Sequence, residues 1–142
     1  MDRTRLAAFA TCLATSLEPF FSRFSQRTPA NVFADLTALL WEVFANSESQ
    51  LKARTILESV SAMPLAGEDD SNNPDFEAMR ALSTVAYAAQ VWVHKEPVHP
   101  AIWAMYSVQS IAQDLGYVLR DGALFSDVLG LAHPEESEGS AR

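Results

Sequence analysis

Leu6, Phe9, Ala10, Leu13, Leu17, Phe20, Phe21 and Phe24 recur at a spacing of three to four residues, and this recurrence most constrains how the chain can fold. On an α-helix such positions share one face. A half-buried strand needs apolar residues at alternate positions, and no stretch of the sequence offers a convincing run of that kind. Pro19 interrupts the first helical pattern. It lacks a backbone donor and crowds the carbonyl four residues back, so a kink or break is expected near Glu18. The apolar phase continues across it, which predicts that both pieces face one core.

The same spacing repeats along the chain. Thr28 as N-cap and Pro29 at the first helical position predict a second start. Val32, Phe33, Leu36, Leu39, Leu40, Val43 and Phe44 supply its apolar face, with a break offered by Asn46 and Ser47. Leu51, Ile56, Leu57 and Val60 mark a helix that stops before Pro64. Asn73 as cap, Pro74 at the first position and Asp75 and Glu77 in the first turn predict the next start. Met79, Leu82, Val85, Ala86, Ala89, Trp92 and Val93 continue that helix, and its many alanines suit a central, closely packed position. "HKEPVHP" breaks it, with His99 expected to cap a helix opening at Pro100. Ile102, Met105, Val108, Ala112, Leu115 and Leu119 form the expected inner face, and "RDG" ends it at Gly122. "ALFSDVLGLA" is a candidate last helix. The expected fold is all-α, a single compact helical bundle of five to seven helices over residues 1–132, with the first helix kinked or broken at Pro19. Residues 133–142 read as a polar, disordered tail.

With 142 residues and 49% hydrophobic composition the chain suits one core. The net charge of −8 is placed unevenly. Residues 1–60 carry six bases and six acids, whereas residues 61–142 carry four bases and twelve acids. Nucleic acid and anionic membranes are therefore disfavoured, and a basic protein partner is permitted. No apolar run approaches bilayer length. The first 21 residues lack the continuous apolar region of a signal peptide. The single Cys12 excludes an internal disulfide, which fits a cytoplasmic protein and equally a disulfide-free periplasmic one.

Little chemistry is encoded. An EF-hand register starting at Asp69 puts Pro74 where glycine belongs and Arg80 where glutamate belongs. His94, Glu96 and His99 straddle Pro97 without a zinc spacing and read as a loop between helices. Cys12 flanks an apolar stripe, where cysteine is usually inert. No G-x-S-x-G, P-loop or dinucleotide fingerprint occurs. No catalytic residue, metal site or cofactor is expected. Trp41 and Trp92 are expected in the core, and Trp103, one step off the inner stripe of its helix, is the tryptophan expected to be exposed.

Several stretches together resemble the YjaG-like family, domain-of-unknown-function family 416. They are "RLAAFATCLATSLEPFFSRF", "LTALLWEVF" with its Leu39, Leu40, Trp41 and Glu42, and "SAMPLAGEDDSNNPDFEAMRALSTV". The chain departs from the family in its shorter length, in "DDSNN" and in Phe20. The resemblance spans roughly residues 3–119 and implies an all-helical bacterial protein, with no catalytic residue implied.

The expected activity is non-enzymatic binding by an acidic helical domain, of the immunity or antitoxin type that neutralises a basic toxin domain. Glu68, Asp69, Asp70, Asp75 and Glu77 are the candidate contacts, with Trp103 as an anchor. The alternatives are a housekeeping protein, homodimeric through an apolar helix face, and a small-ligand binder or enzyme with a pocket between helices.

Overall fold

A computed structural model describes residues 2–45, 48–70 and 72–118, the last four in backbone only. Helices α1 (Arg3–Ser16) and α2 (Glu18–Phe24) are one helix bent by 39°. They are followed by α3 (Ala30–Val43), α4 (Ser49–Ser61), a 3₁₀ turn (Pro64–Gly67), α5 (Pro74–Val93) and α6 (Val98–Val118), and no strand occurs among the described residues. The all-α bundle follows from the apolar spacing. The expected break at Asn46 and Ser47, the end at Gly122, the helix in "ALFSDVLGLA" and the polar tail fall wholly or partly outside the described residues.

The bend falls where Pro19 demands it. As the second residue of α2 it stands where a backbone donor has no helical acceptor. Leu17 closes α1 by donating to the Ala14 carbonyl at 3.1 Å and accepts from the Phe21 N–H at 2.8 Å. Leu17, Phe20 and Phe21 are fully buried, so the apolar face does pass through the bend. Burial of each phenylalanine contributes about 2–3 kcal/mol, and Phe21 stacks on Phe33 of α3 at 4.7 Å between ring centroids.

Helix α5 is the axis of the bundle, packed by α1, α2, α3, α4, α6 and the 3₁₀ turn. Ala78, Ala81, Ala88 and Ala89 are all fully buried on it. Small side chains let neighbours approach closely, which is how a helix of this length is enclosed on several sides. Both of its ends are tied. Asn73 caps the start, its Oδ1 accepting from the Asp75 N–H at 3.0 Å, as the sequence predicts. At the other end the Arg3 Nη1 donates to the carbonyls of Val91 at 2.7 Å and His94 at 2.8 Å. A cation there complements the negative helix terminus.

Several expectations need correction. Pro29, not Thr28, caps α3; the Thr28 hydroxyl is buried without a hydrogen-bond partner. Helix α6 opens at Val98, two residues early, so His99 lies inside its first turn rather than capping it. Its buried residues include Ala101, Ala104 and Ile111, while Ile102, Met105 and Val108 are half-buried. The alanines set the closest approach and push the bulkier side chains to the flanks. Trp92 is buried as expected, but Trp41 is 42% exposed; its indole N–H donates to the Thr15 hydroxyl at 3.0 Å. Cys12, Phe9, Leu39 and Leu51 also face outward.

Candidate functional site

Two surfaces meet on α5. The first is the acidic connection that leads into it. Asp75 is only 1% exposed, and its carboxylate accepts from the Gln26 N–H at 2.7 Å and from Arg27 Nε at 2.6 Å. Burial alone pushes the Asp75 carboxyl up. The N–H of Gln26, the Arg27 guanidinium and the Arg27 N–H outweigh it and hold that carboxyl below its ordinary value. Asp75 therefore clamps the α2–α3 connection onto the start of α5, and burial removes it from the set of surface contacts.

Arg27 reaches the loop as well. Its Nη2 donates to Glu68 Oε1 at 2.6 Å, and the same oxygen accepts from Asn73 Nδ2 at 3.2 Å. Hydrogen bonding to Asp75 raises the Arg27 pKa, against a smaller opposing effect of desolvation. Glu68 also accepts from the Asp70 N–H at 3.2 Å, and Asp70 accepts from the Asn72 N–H at 3.0 Å. The acidity of this stretch thus has a local structural cause, because its side chains satisfy the turn's own backbone donors. Asp69 and Asp70 remain exposed. Glu77 faces Arg80 at 3.0 Å, three residues on along α5. Of the five acids, Glu68, Asp75 and Glu77 are engaged with arginine, and Asp69 and Asp70 are exposed without one.

The second surface is a groove of about 340 Å³ between α5 and α6. Met79, Ser83 and Tyr87 line its α5 side, and Trp103, Tyr106 and Ser110 its α6 side. Trp103 is 40% exposed and Tyr106 58% exposed. Trp103 meets Tyr87 edge-on at 5.9 Å and His94 at 5.5 Å. At the far end Arg80 donates to Asp114 at 2.6 Å and to Ser110 at 2.6 Å. Between them the Thr84 and Ser107 hydroxyls are bonded at 3.0 Å. The groove is thus aromatic at one end and ion-paired at the other.

Trp103 is exposed, as expected, but stands apart from the acids. Its neighbour Tyr87 lies fourteen residues along α5 from Asn73, roughly 20 Å at helical rise. His94 and His99 face each other at 5.9 Å, and the His94 Nδ1 accepts from the Glu96 N–H at 3.0 Å. Among the described residues no three His, Cys, Asp or Glu side chains converge on a metal position. No described helix is long and apolar enough to cross a membrane. Arg27 escaped the sequence reading because its partners lie 41 and 48 residues away. Tyr106 and Ser110 lie off the apolar stripe of α6, but Trp103, Tyr106, Ser107 and Ser110 form a second stripe at helical spacing that the sequence does carry. No protein-family model matches this chain, and neither a curated protein nor a solved structure does.

Proposed function

We propose that this chain is a non-enzymatic acidic binding protein, of the immunity or antitoxin type, whose acidic loop meets a basic toxin domain. The supporting observation is the anchoring of that loop: Arg27 grips Glu68 and Asp75 while Asp69 and Asp70 stay exposed. A negative surface already fixed in shape loses little conformational freedom on binding. Its charge accelerates encounter with a basic partner and opposes binding to nucleic acid. Glu68 belongs to the edge of this surface, Asp75 and Glu77 support it from within the fold, and Trp103 is not required.

The test is titration calorimetry of the full chain with a basic protein encoded beside it, at low and high salt. A tight complex that weakens with salt is the expected result. Asp69→Asn together with Asp70→Asn should weaken it about tenfold, or roughly 1.4 kcal/mol. Wild-type affinity in that double variant removes the loop from the interface. Failure of every basic neighbour-encoded protein to bind removes the immunity-type reading.

A further inference from the structure

The α5–α6 groove gathers three aromatic rings toward one end. Trp103 is 40% exposed, Tyr106 on the same helix is 58% exposed, and Tyr87 meets Trp103 edge-on from α5 at 5.9 Å. His94 and His99 also pack on Trp103, at 5.5 and 6.3 Å between ring centroids, so the indole is held in place before any ligand arrives. Aromatic faces carry negative potential and attract cations. The charge around the groove has the same sign. Among the described residues the charged side chain lining it is Arg80, and Arg80 is bonded to two carboxylates, Glu77 at 3.0 Å and Asp114 at 2.6 Å. The whole chain carries −8, which draws cations toward it. We propose that this groove binds a free trimethylammonium compound, a small cation of the choline class, with its methylated nitrogen against Trp103, Tyr87 and Tyr106.

Hydrogen bonding selects this class over other cations and over anions. Beside the rings, the groove offers the Met79 thioether and the hydroxyls of Ser83 and Ser107. A primary ammonium carries three N–H donors, and in such surroundings it leaves donors unmet that water had satisfied, which is costly. A trimethylammonium group has no donor to satisfy, and its methyl groups gain from contact with the rings. An anion would need Arg80, but the Arg80 Nη1 is bonded to Glu77 and Asp114, and its Nη2 to Ser110. A neutral molecule of the same shape keeps the apolar contact and forgoes the attraction of the rings for charge. The groove, at about 340 Å³, lies at the small end of ligand clefts, which run from roughly 300 to 1,000 Å³. That suits a compact ion. This inference is independent of the acidic loop and of any toxin partner.

The test titrates the full chain with choline chloride, against sodium chloride at matched ionic strength, and follows the indole N–H signals in the nitrogen-15 spectrum. The Trp103 signal should shift and saturate. Trp41, equally open at 42% exposure but outside the groove, is the control and should not. 3,3-Dimethylbutanol, which has carbon in place of the charged nitrogen, and methylammonium should each bind at least about fivefold more weakly than choline. With the Tyr106 ring signals as the readout, Trp103→Leu should weaken choline binding about fivefold while the remaining spectrum stays folded. A Trp103 signal that does not saturate, or that moves no more than Trp41, overturns the proposal. So does a neutral isostere that binds as tightly as choline, since the groove is then merely apolar, and so does a folded Trp103→Leu protein with unchanged affinity. Binding to phosphatidylcholine vesicles without binding to free choline also overturns it.

Discussion

Replacing Asp75 tests how the first half of the chain is fastened to α5. Its carboxylate receives the Gln26 N–H at 2.7 Å and Arg27 Nε at 2.6 Å while the residue is 1% exposed. Hydrogen bonds to a charged group contribute about 1.5–3 kcal/mol each. Arg27 is 44% exposed and can turn to water or keep Glu68, so its bond counts toward the weaker end. Asp75→Ala, which removes both acceptors, should therefore cost about 3 kcal/mol of unfolding free energy. Asp75→Asn keeps one oxygen but turns an amide donor toward the second donor, and should cost about 2 kcal/mol. Asp69→Asn, at an exposed position, should stay within about 0.5 kcal/mol of wild type. Urea unfolding followed by circular dichroism measures all three. The dependence on pH gives a second check. The folded pKa of Asp75 is lowered, so the unfolded chain binds its proton first, near an ordinary value of about 3.9. The stabilisation is complete above that value and is lost as pH falls through the lower folded one. The gap between wild type and Asp75→Asn should hold from neutrality to about pH 4 and close below it. An Asp75→Ala protein within 0.5 kcal/mol of wild type at neutral pH would refute the clamp.

Two further substitutions probe the interior. Arg3→Met keeps the side-chain length but removes both bonds to the end of α5, and should lower stability by about 1–2 kcal/mol. Amide exchange should quicken first around Val91 and Trp92, and unchanged exchange there would refute the tie. Thr11→Val removes a fully buried hydroxyl with no hydrogen-bond partner, so thermal unfolding should move upward, by about 1 kcal/mol of stability. A loss of that size would instead show that the hydroxyl is bonded in solution.

What the sequence discloses is phase, and what it withholds is depth and distance. Leu17, Phe20 and Phe21 could be placed on one face across Pro19 because an apolar repeat survives a bend. Asn73 and Pro74 marked the start of α5 because capping is local chemistry, settled within three residues. "LTALLWEVF" shows the limit. Apolar residues occupy more of that helix than its neighbours cover, so periodicity could not tell that Leu40 is buried and Trp41 is 42% exposed. Burial among the candidate site residues is hidden for a related reason. Asp75 and Asp69 look alike in sequence, yet Asp75 is buried because Arg27, 48 residues away, arrives beside it. No local pattern carries that information.

The two least legible contacts serve one structural need. A helix enclosed on several sides still has unsatisfied N–H groups at its start and carbonyls at its end. Water meets that need at an exposed terminus, but α5 lies at the centre of the bundle and both its ends abut other segments. Asp75 places negative charge at the start of α5, and Arg3 places positive charge at its finish. Each sign suits the helix dipole at its own terminus. Arg3, Gln26 and Arg27 all come from the first 27 residues. The bent α1–α2 helix and the connection after it therefore grip the central helix from opposite ends. This also accounts for the arrangement of the acidic loop: Glu68 and Asp75 build the grip through Arg27, and Asp69 and Asp70 stay exposed.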